Sequence, residues 1–386
     1  MHAGLHKPET ARRSARVDGR FRALLAEAGI TVNGRRPHDL RLHDPAVPAR
    51  VLAQGSLGLG ESYMDGGWDC DDLDGMLARL LEARLHERVR GWADLVAGVQ
   101  AALLNLQSRR RAWEVGRRHY DLGNDLYAAM LGRRMVYSCG YWRDAHGLDA
   151  AQEAKLDLVC RKLQLRPGLR LLDVGCGWGE MLRYAAERHG VAGVGITISE
   201  EQAAYARELC RGLPVEIRLQ DYRDLRERFD RICSIGMFEH VGVRNYGAYF
   251  AMLDRCLAAD GLSLLHTIGR NAAANRTDPW IARYIFPNSM LPSASQIAAA
   301  AESPGEGRLV LEDWHGFGPD YERTLLAWRA NIEAAWPRLP ARYDERFRRM
   351  WRFYLAASIA GFRVRHLQLW QLVFSRGLRG GYVAPR

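Results

Sequence analysis

The sequence predicts a doubly wound α/β domain preceded by a small, mainly helical unit. Three observations carry this prediction. From Leu156 onward, short apolar runs alternate with amphipathic ones, as parallel strands joined by helices require. The run LLDVGCGWG at Leu171–Gly179 passes from an apolar strand into a glycine-rich turn and a helix start. Residues 30–80 show no such alternation, because Gly and Pro break them into short apolar pieces.

A chain of 386 residues exceeds the usual single domain, which points to two units. The hydrophobic content of 48% is enough for a substantial core. The net charge of +10 favours contact with an anionic partner, either nucleic acid or a phospholipid surface. Seven cysteines at irregular spacing, with no CxxC pair, argue against a disulfide framework and a zinc site. The N-terminus lacks a signal-peptide core, and no run reaches the roughly 18 apolar residues of a spanning helix. A cytoplasmic protein with only peripheral membrane contact is expected.

The elements follow in order. Residues up to about 20 are polar and basic and are expected to fray. Phe21–Gly29 reads as a short helix stopped by glycine, and Leu73–Leu106 as a longer helical stretch. The run SRRRAWEVGRRHY, with Arg109, Arg110, Arg111, Arg117 and Arg118, reads as a basic linker. The expected division is 1–107 for the N-terminal domain, 108–125 for the linker and 126–386 for the α/β domain. Within the last, strands are expected at Leu169–Val174, Ala192–Ile196, Val215–Leu219, Arg231–Ile235 and Leu262–Ile268. Helices are expected from Glu180, over Ser199–Arg211 and over Tyr246–Leu257. The apolar, irregular run TDPWIARYIFPNSMLPS reads as a lid or pocket wall.

In such a sheet a ligand sits beyond the carboxyl ends of the strands. Asp173 lies in the first strand, and Gly175, Gly177 and Gly179 alternate through the turn that follows. Glycine there permits close ligand approach, and the next helix start offers backbone N–H donors. A glycine pattern alone is a weak signal. Two other strand ends carry polar residues: SIGMFEH places Glu239 and His240, and LLHTIG places His266. All three ends converge on one crevice. In MVYSCGYW, Cys139 reads either as a nucleophile or as a small residue offering its backbone. No adjacent base lowers its pKa, which favours the backbone reading.

The motifs GSLGLGESYMDGGWD, HYDLGNDLY, MVYSCGYW, LLDVGCGWGE, GITISEEQ, SIGMFEHVG, DPWIARYIFPNSMLPS, FGPDY and LQLWQLVFSRG cover nearly the whole chain. Together they resemble the cyclopropane-fatty-acyl-phospholipid synthase family, which is related to the mycolic acid cyclopropane synthases. The resemblance implies a Rossmann-like class I methyltransferase domain and S-adenosylmethionine as methylene donor. It implies an unsaturated phospholipid at the membrane surface as acceptor, a homodimer, and bicarbonate as general base. Cofactor contacts would fall on Tyr137, Ser138, Asp173, Gly175, Cys176, Gly177, Thr197, Ile198, Ser199, Gln202, Tyr222 and Arg223. The bicarbonate pocket would fall on Cys139, Glu239, His266, Ile268 and Tyr321. In it Glu239 would accept the anion's hydrogen, orienting it rather than titrating. His266 and Tyr321 would donate to its oxygens. Tyr137, Phe238 or Tyr321 would face a developing cation.

The chain departs from the family at two places. The second strand ends in Thr197, with acids only at Glu200 and Glu201, so the ribose partner stays open. Ser358 stands where relatives commonly carry a cysteine, so either the position is not catalytic, which the proton-abstraction scheme favours, or this chain is impaired. Competing readings are a fatty-acyl methyltransferase giving a branched chain and a small-molecule amine methyltransferase. Nucleic acid is not expected as a partner, since no RNA-recognition motif is visible.

Overall fold

The computed structural model describes residues 7–89, 123–274, 276–302 and 309–386. The chain divides into two compact units that are not continuous in sequence. The first joins the described part of Met1–Leu103 to two later segments, Asp278–Ile285 and Pro340–His366. The second comprises the rest. Both segments were expected in the α/β domain, and both leave it for the first unit. The basic linker arginines lie outside the described residues.

The first unit opens on a helix over Lys7–Glu27, so residues expected to fray begin a regular element instead. Helices Val47–Gln54, Ser56–Met64, Leu73–Glu82 and Leu85–Arg88 follow. Arg84, at a left-handed φ of 53°, breaks the helical run that the sequence extends through Leu73–Leu106. A two-stranded ladder pairs β1, Arg41–Leu42, with β2, Trp68–Asp69. The helix Glu345–Arg363 packs on Ser56–Met64 and Leu73–Glu82. Its Arg349 donates to the Trp68 carbonyl at 2.8 Å and to Asp69 at 2.7 Å, and covers the Tyr63 ring at 4.1 Å. Arg363 reaches Asp74 at 2.8 Å. The short helix Pro279–Tyr284 is capped by Asp278, which accepts from the amides of Trp280 and Ile281. Trp280 is buried, edge-on to Phe353 at 4.7 Å. Tyr284 donates to Glu61 at 2.7 Å.

The second unit is built on a seven-stranded sheet. Its strands are β3 (Arg170–Val174), β4 (Ala192–Thr197), β5 (Val215–Leu219), β6 (Phe229–Ile235), β7 (Leu257–Arg270), β8 (Val310–Gly316) and β9 (Leu367–Ser375). The order is β5-β4-β3-β6-β7-β9-β8. The first five neighbours are parallel, as expected of a doubly wound sheet. β9 then inserts antiparallel between β7 and β8. Helices Leu148–Lys162, Glu180–His189, Glu200–Leu209 and Tyr246–Cys256 cover the sheet, which is apolar on both faces as parallel strands require. Phe238 stacks on Tyr246 at 4.3 Å inside this core, so it is withdrawn from the cation-facing role expected of it. Among the described residues, no helix is long and apolar enough to cross a membrane.

Gly60 shows how tightly the first unit accommodates its inserted segment. A methyl group there would lie 2.4 Å from two ring atoms of Trp280. In an open helix, alanine for glycine gains about 1 kcal/mol. Here overpacking reverses the sign, and Gly60→Ala should lose about 1–2 kcal/mol. Trp280→Leu should relieve part of that loss in a double-mutant cycle followed by urea unfolding. A neutral or stabilising Gly60→Ala would show that the Trp280 ring does not rest on this glycine.

Candidate active site

The glycine turn joins β3 to helix Glu180–His189. Gly175, Gly177 and Gly179 all have positive φ, at 82°, 53° and 91°. A methyl group on Gly177 would meet nothing within 4 Å, so the turn faces open space there. The amides of Gly175 and Cys176 both donate to the Ile196 carbonyl, at 2.9 and 3.0 Å. These two amides, at positions expected to contact the cofactor, are spent on holding β3 to β4. Cys176 turns its side chain into the core, where its Sγ packs against Gly195. Asp173 is buried, and its Oδ1 has no partner among the described residues. Burial pushes its carboxyl up to about 7, against the opposing pull of a Cys233 hydrogen bond and of Lys155.

At the end of β4, Thr197 donates to Gln202 Oε1 at 3.0 Å and accepts from the Ser199 amide. Ser199 caps the helix Glu200–Leu209 by accepting from the Gln202 amide. Ile198 is half-buried beside them. Beyond β5, Arg223 forks onto Asp221 at 2.8 and 2.5 Å and covers the Tyr222 ring at 5.4 Å. Asp221 is a buried acid that sequence reasoning passed over.

Tyr137 and Ser138 are fixed from helix Leu148–Lys162. Gln152 donates to the Ser138 carbonyl at 2.8 Å, and Lys155 donates to the Ser138 hydroxyl at 3.0 Å. The Tyr137 ring lies against Tyr127 at 5.3 Å, Trp328 at 5.3 Å and Phe286 at 6.5 Å. Phe286 also meets His240, at 5.9 Å. The Phe286 end of the expected pocket wall thus packs on candidate residues, whereas Trp280 and Tyr284 belong to the first unit.

Cys139 is fully buried, and burial raises its thiol well above the usual range. It donates to the Gly140 carbonyl at 3.1 Å. A neutral thiol in this setting is a poor nucleophile, in keeping with the backbone reading. Thr324 ties its loop to helix Gly318–Ala335 by accepting from the Gly140 amide at 3.1 Å and from Trp142 Nε1 at 2.8 Å. Tyr321 lies one turn earlier on that helix, edge-on to Trp328 at 5.9 Å. Phe317, just before the helix, meets the His266 ring at 5.8 Å.

Glu239 sits in a short 3-10 turn directly after β6. Its Oε1 accepts the Ile268 amide at 2.7 Å, and its carbonyl accepts the Met290 amide at 2.6 Å. Glu239 Oε2 and His266 Nε2 are both buried without a hydrogen-bond partner among the described residues. His266 is held well below its ordinary pKa by burial and by the charges of Lys155 and Lys162, so the ring is neutral. Burial raises the Glu239 carboxyl to about 7, opposed by the Ile268 amide. Ser358 lies in helix Glu345–Arg363 of the first unit, while every candidate residue belongs to the second.

Lys155, Thr324, Trp328 and Gln371 escaped the sequence reading. Lys155 carried a usable signal, because it shares a helix face with Gln152, Leu156, Val159 and Lys162. Thr324 had none.

The raised pKa of Glu239 has a consequence for stability. The folded state holds this proton more tightly than the unfolded chain does, so its contribution is complete below about 4.5 and lost as pH rises through about 7. Glu239→Gln removes that dependence. Its stability relative to the parent protein should rise by about 3 kcal/mol across this window. Urea unfolding of both proteins at several pH values measures the difference, and parallel profiles would contradict the buried, proton-binding carboxyl.

The geometry can be set beside known proteins. The family model for mycolic acid cyclopropane synthetase matches residues 107–372. Cyclopropane-fatty-acyl-phospholipid synthase of Escherichia coli is 53% identical over 364 residues, covering 94% of each chain. Tuberculostearic acid methyltransferase UfaA1 of Mycobacterium tuberculosis is 34% identical over 88% of this chain and 84% of its own. Among solved structures, the cyclopropane synthase MmaA2 of Mycobacterium tuberculosis superposes with a TM-score of 0.63 at 31% identity, covering 68% of this chain and 98% of that one. The open glycine turn, the parallel sheet with its antiparallel β9 and this end-to-end similarity agree. The chain belongs to the mycolic acid cyclopropane synthetase family and is an S-adenosylmethionine-dependent methyltransferase of class I fold.

Proposed function

We propose that the chain transfers a methylene group from S-adenosylmethionine to the cis double bond of an acyl chain in a membrane phospholipid. The product is a cyclopropane ring, and bicarbonate is the general base. The similarity to the Escherichia coli enzyme across 94% of both chains carries the substrate reading. The net charge of +10 suits an anionic lipid surface.

The residues fit both small molecules. Gly177 leaves open space beside β3, and Asp173 brings an unpartnered buried oxygen to the same strand end, as a polar cofactor requires. Glu239 Oε2 and His266 Nε2 are two further buried polar atoms that call for a polar occupant. When bound, S-adenosylmethionine supplies an electrophilic methyl group, and bicarbonate a base able to take a proton from that methyl after transfer.

The protein's part is to bind, orient and exclude water. Tyr137 and Ser138, held by Lys155 and Gln152, flank the donor together with the glycine turn. Thr197, Ile198, Ser199 and Gln202 form one preorganised edge of its site, and Tyr222 and Arg223 another. Glu239, fixed by the Ile268 amide, accepts the anion's hydrogen through Oε2. His266 and the Tyr321 hydroxyl donate to its oxygens. Cys139, kept as a neutral thiol, lines the pocket without competing for a carbocation. The faces of Tyr137 and Tyr321, both packed on Trp328, stabilise positive charge on the acyl chain.

Incubation with unsaturated phospholipid vesicles and S-adenosylmethionine should add one CH₂ per reacted chain by mass spectrometry. NMR should then show cyclopropane protons. A methyl or methylene branch, or no lipid product, would overturn the reading. Glu239→Gln should lower turnover by at least about tenfold, the scale of one hydrogen bond to a charged group. Full turnover in this variant would remove Glu239 from the anion site.

A further inference from the structure

We propose that Gln371 is a positioning residue that fixes the tautomer of His266, leaving Nε2 as its N–H donor. The inference rests on the bicarbonate reading only for what that donor serves.

In the antiparallel ladder of β7 and β9, His266 and Gln371 stand directly opposite each other. The amide Nε2 of Gln371 lies 3.2 Å from His266 Nδ1. With the amide in this orientation its nitrogen donates, and Nδ1 presents its lone pair. A neutral imidazole has one N–H, which is then on Nε2. That atom is buried and has no partner among the described residues.

The surroundings keep both groups in place. Gln371 is fully buried in β9, with β7 on one side and His315 of β8 opposite it on the other. Phe317 lies against both histidine rings, at 5.8 Å from His266 and 4.9 Å from His315. Lys162, which donates to Asp313 at 2.9 Å and lies 3.2 Å from His315 Nδ1, is one of the two buried cations that oppose charge on His266. Lys155 is the other.

A neutral ring with its proton on Nε2 can donate to an anion without forming an ion pair. An imidazolium would hold a bicarbonate oxygen as a salt bridge and reduce its basicity. The opposite tautomer would turn a lone pair toward the anion and repel it. One glutamine amide therefore chooses between a donor and an acceptor at the same position. The Gln371 Oε1 has no partner among the described residues either. Turning the amide over would bring this oxygen to Nδ1 and reverse the tautomer, which makes the inference testable.

The experiment is a long-range proton–nitrogen correlation spectrum of the histidine-labelled free protein near neutral pH. His266 is assigned by loss of its signals in His266→Asn or, should that variant not fold, by Overhauser contacts with the Phe317 ring. The parent protein should show the Nε2–H tautomer. Gln371→Glu, read at a pH where the new carboxylate is ionised and accepts without donating, should switch it to Nδ1–H. Gln371→Met, which neither donates nor accepts strongly, should give a mixture and serves if the glutamate variant does not fold. In turnover assays, Gln371→Glu should raise the bicarbonate concentration needed for half-maximal rate by about ten- to a hundredfold. Its KM for S-adenosylmethionine should not change. An Nδ1–H tautomer in the parent, or Nε2–H retained in every folded variant, would overturn the proposal. Turnover independent of bicarbonate would instead overturn the anion reading, while the tautomer result, read in the free protein, would stand.

Discussion

Dehydration of the carboxyl edge of the sheet is the constraint on which the rest of this site depends. Asp173, Glu239, Cys139 and His266 are all nearly inaccessible, and desolvation is the largest influence on each of their pKa values. Burial drives each toward its neutral form. Lys155, itself buried and lowered to about 8, is the cation whose field reaches Asp173, Cys139 and His266 alike. Asp173 Oδ1, Glu239 Oε2 and His266 Nε2 are buried at this edge without hydrogen-bond partners among the described residues.

The fold supplies this constraint through cross-braces between its own elements. The Ile268 amide ties the turn after β6 to β7. The Thr324 hydroxyl gathers the Gly140 amide and the Trp142 indole onto the helix that carries Tyr321. Phe317 brings the start of that helix against His266. None of these braces is chemically reactive. Each removes a rotation that would otherwise loosen the pocket, which is how a site made of strand ends and loops attains the precision expected of a rigid scaffold.

The βαβ pattern made the parallel strands legible because their apolar runs are long and their turns rich in glycine. Glu239 and His266 were legible for the converse reason: a polar residue at the end of an apolar strand needs a purpose. β8 and β9 were not foreseen, since antiparallel strands late in the chain follow helices and break the alternation. Gln371 is a buried polar residue in the apolar run LQLWQLVF, yet its partner lies across a ladder whose register no local pattern reveals. Phe238 shows the opposite failure. Its neighbour Glu239 suggested a place in the site, but a one-residue step in a tight turn is enough to direct a side chain into the core. The division into units was also hidden, because Asp278–Ile285 and Pro340–His366 owe their place to packing partners hundreds of positions away.

That discontinuity imposes an order in time. The N-terminal unit leaves the ribosome first, but Trp280, Phe353 and the Arg349 contacts to Trp68 and Asp69 come from chain made much later. Its core therefore closes only after residue 363 has cleared the exit tunnel. The sheet waits as well, since β8 reaches β7 only through β9. Each unit thus needs segments that lie late in the sequence before its core is complete.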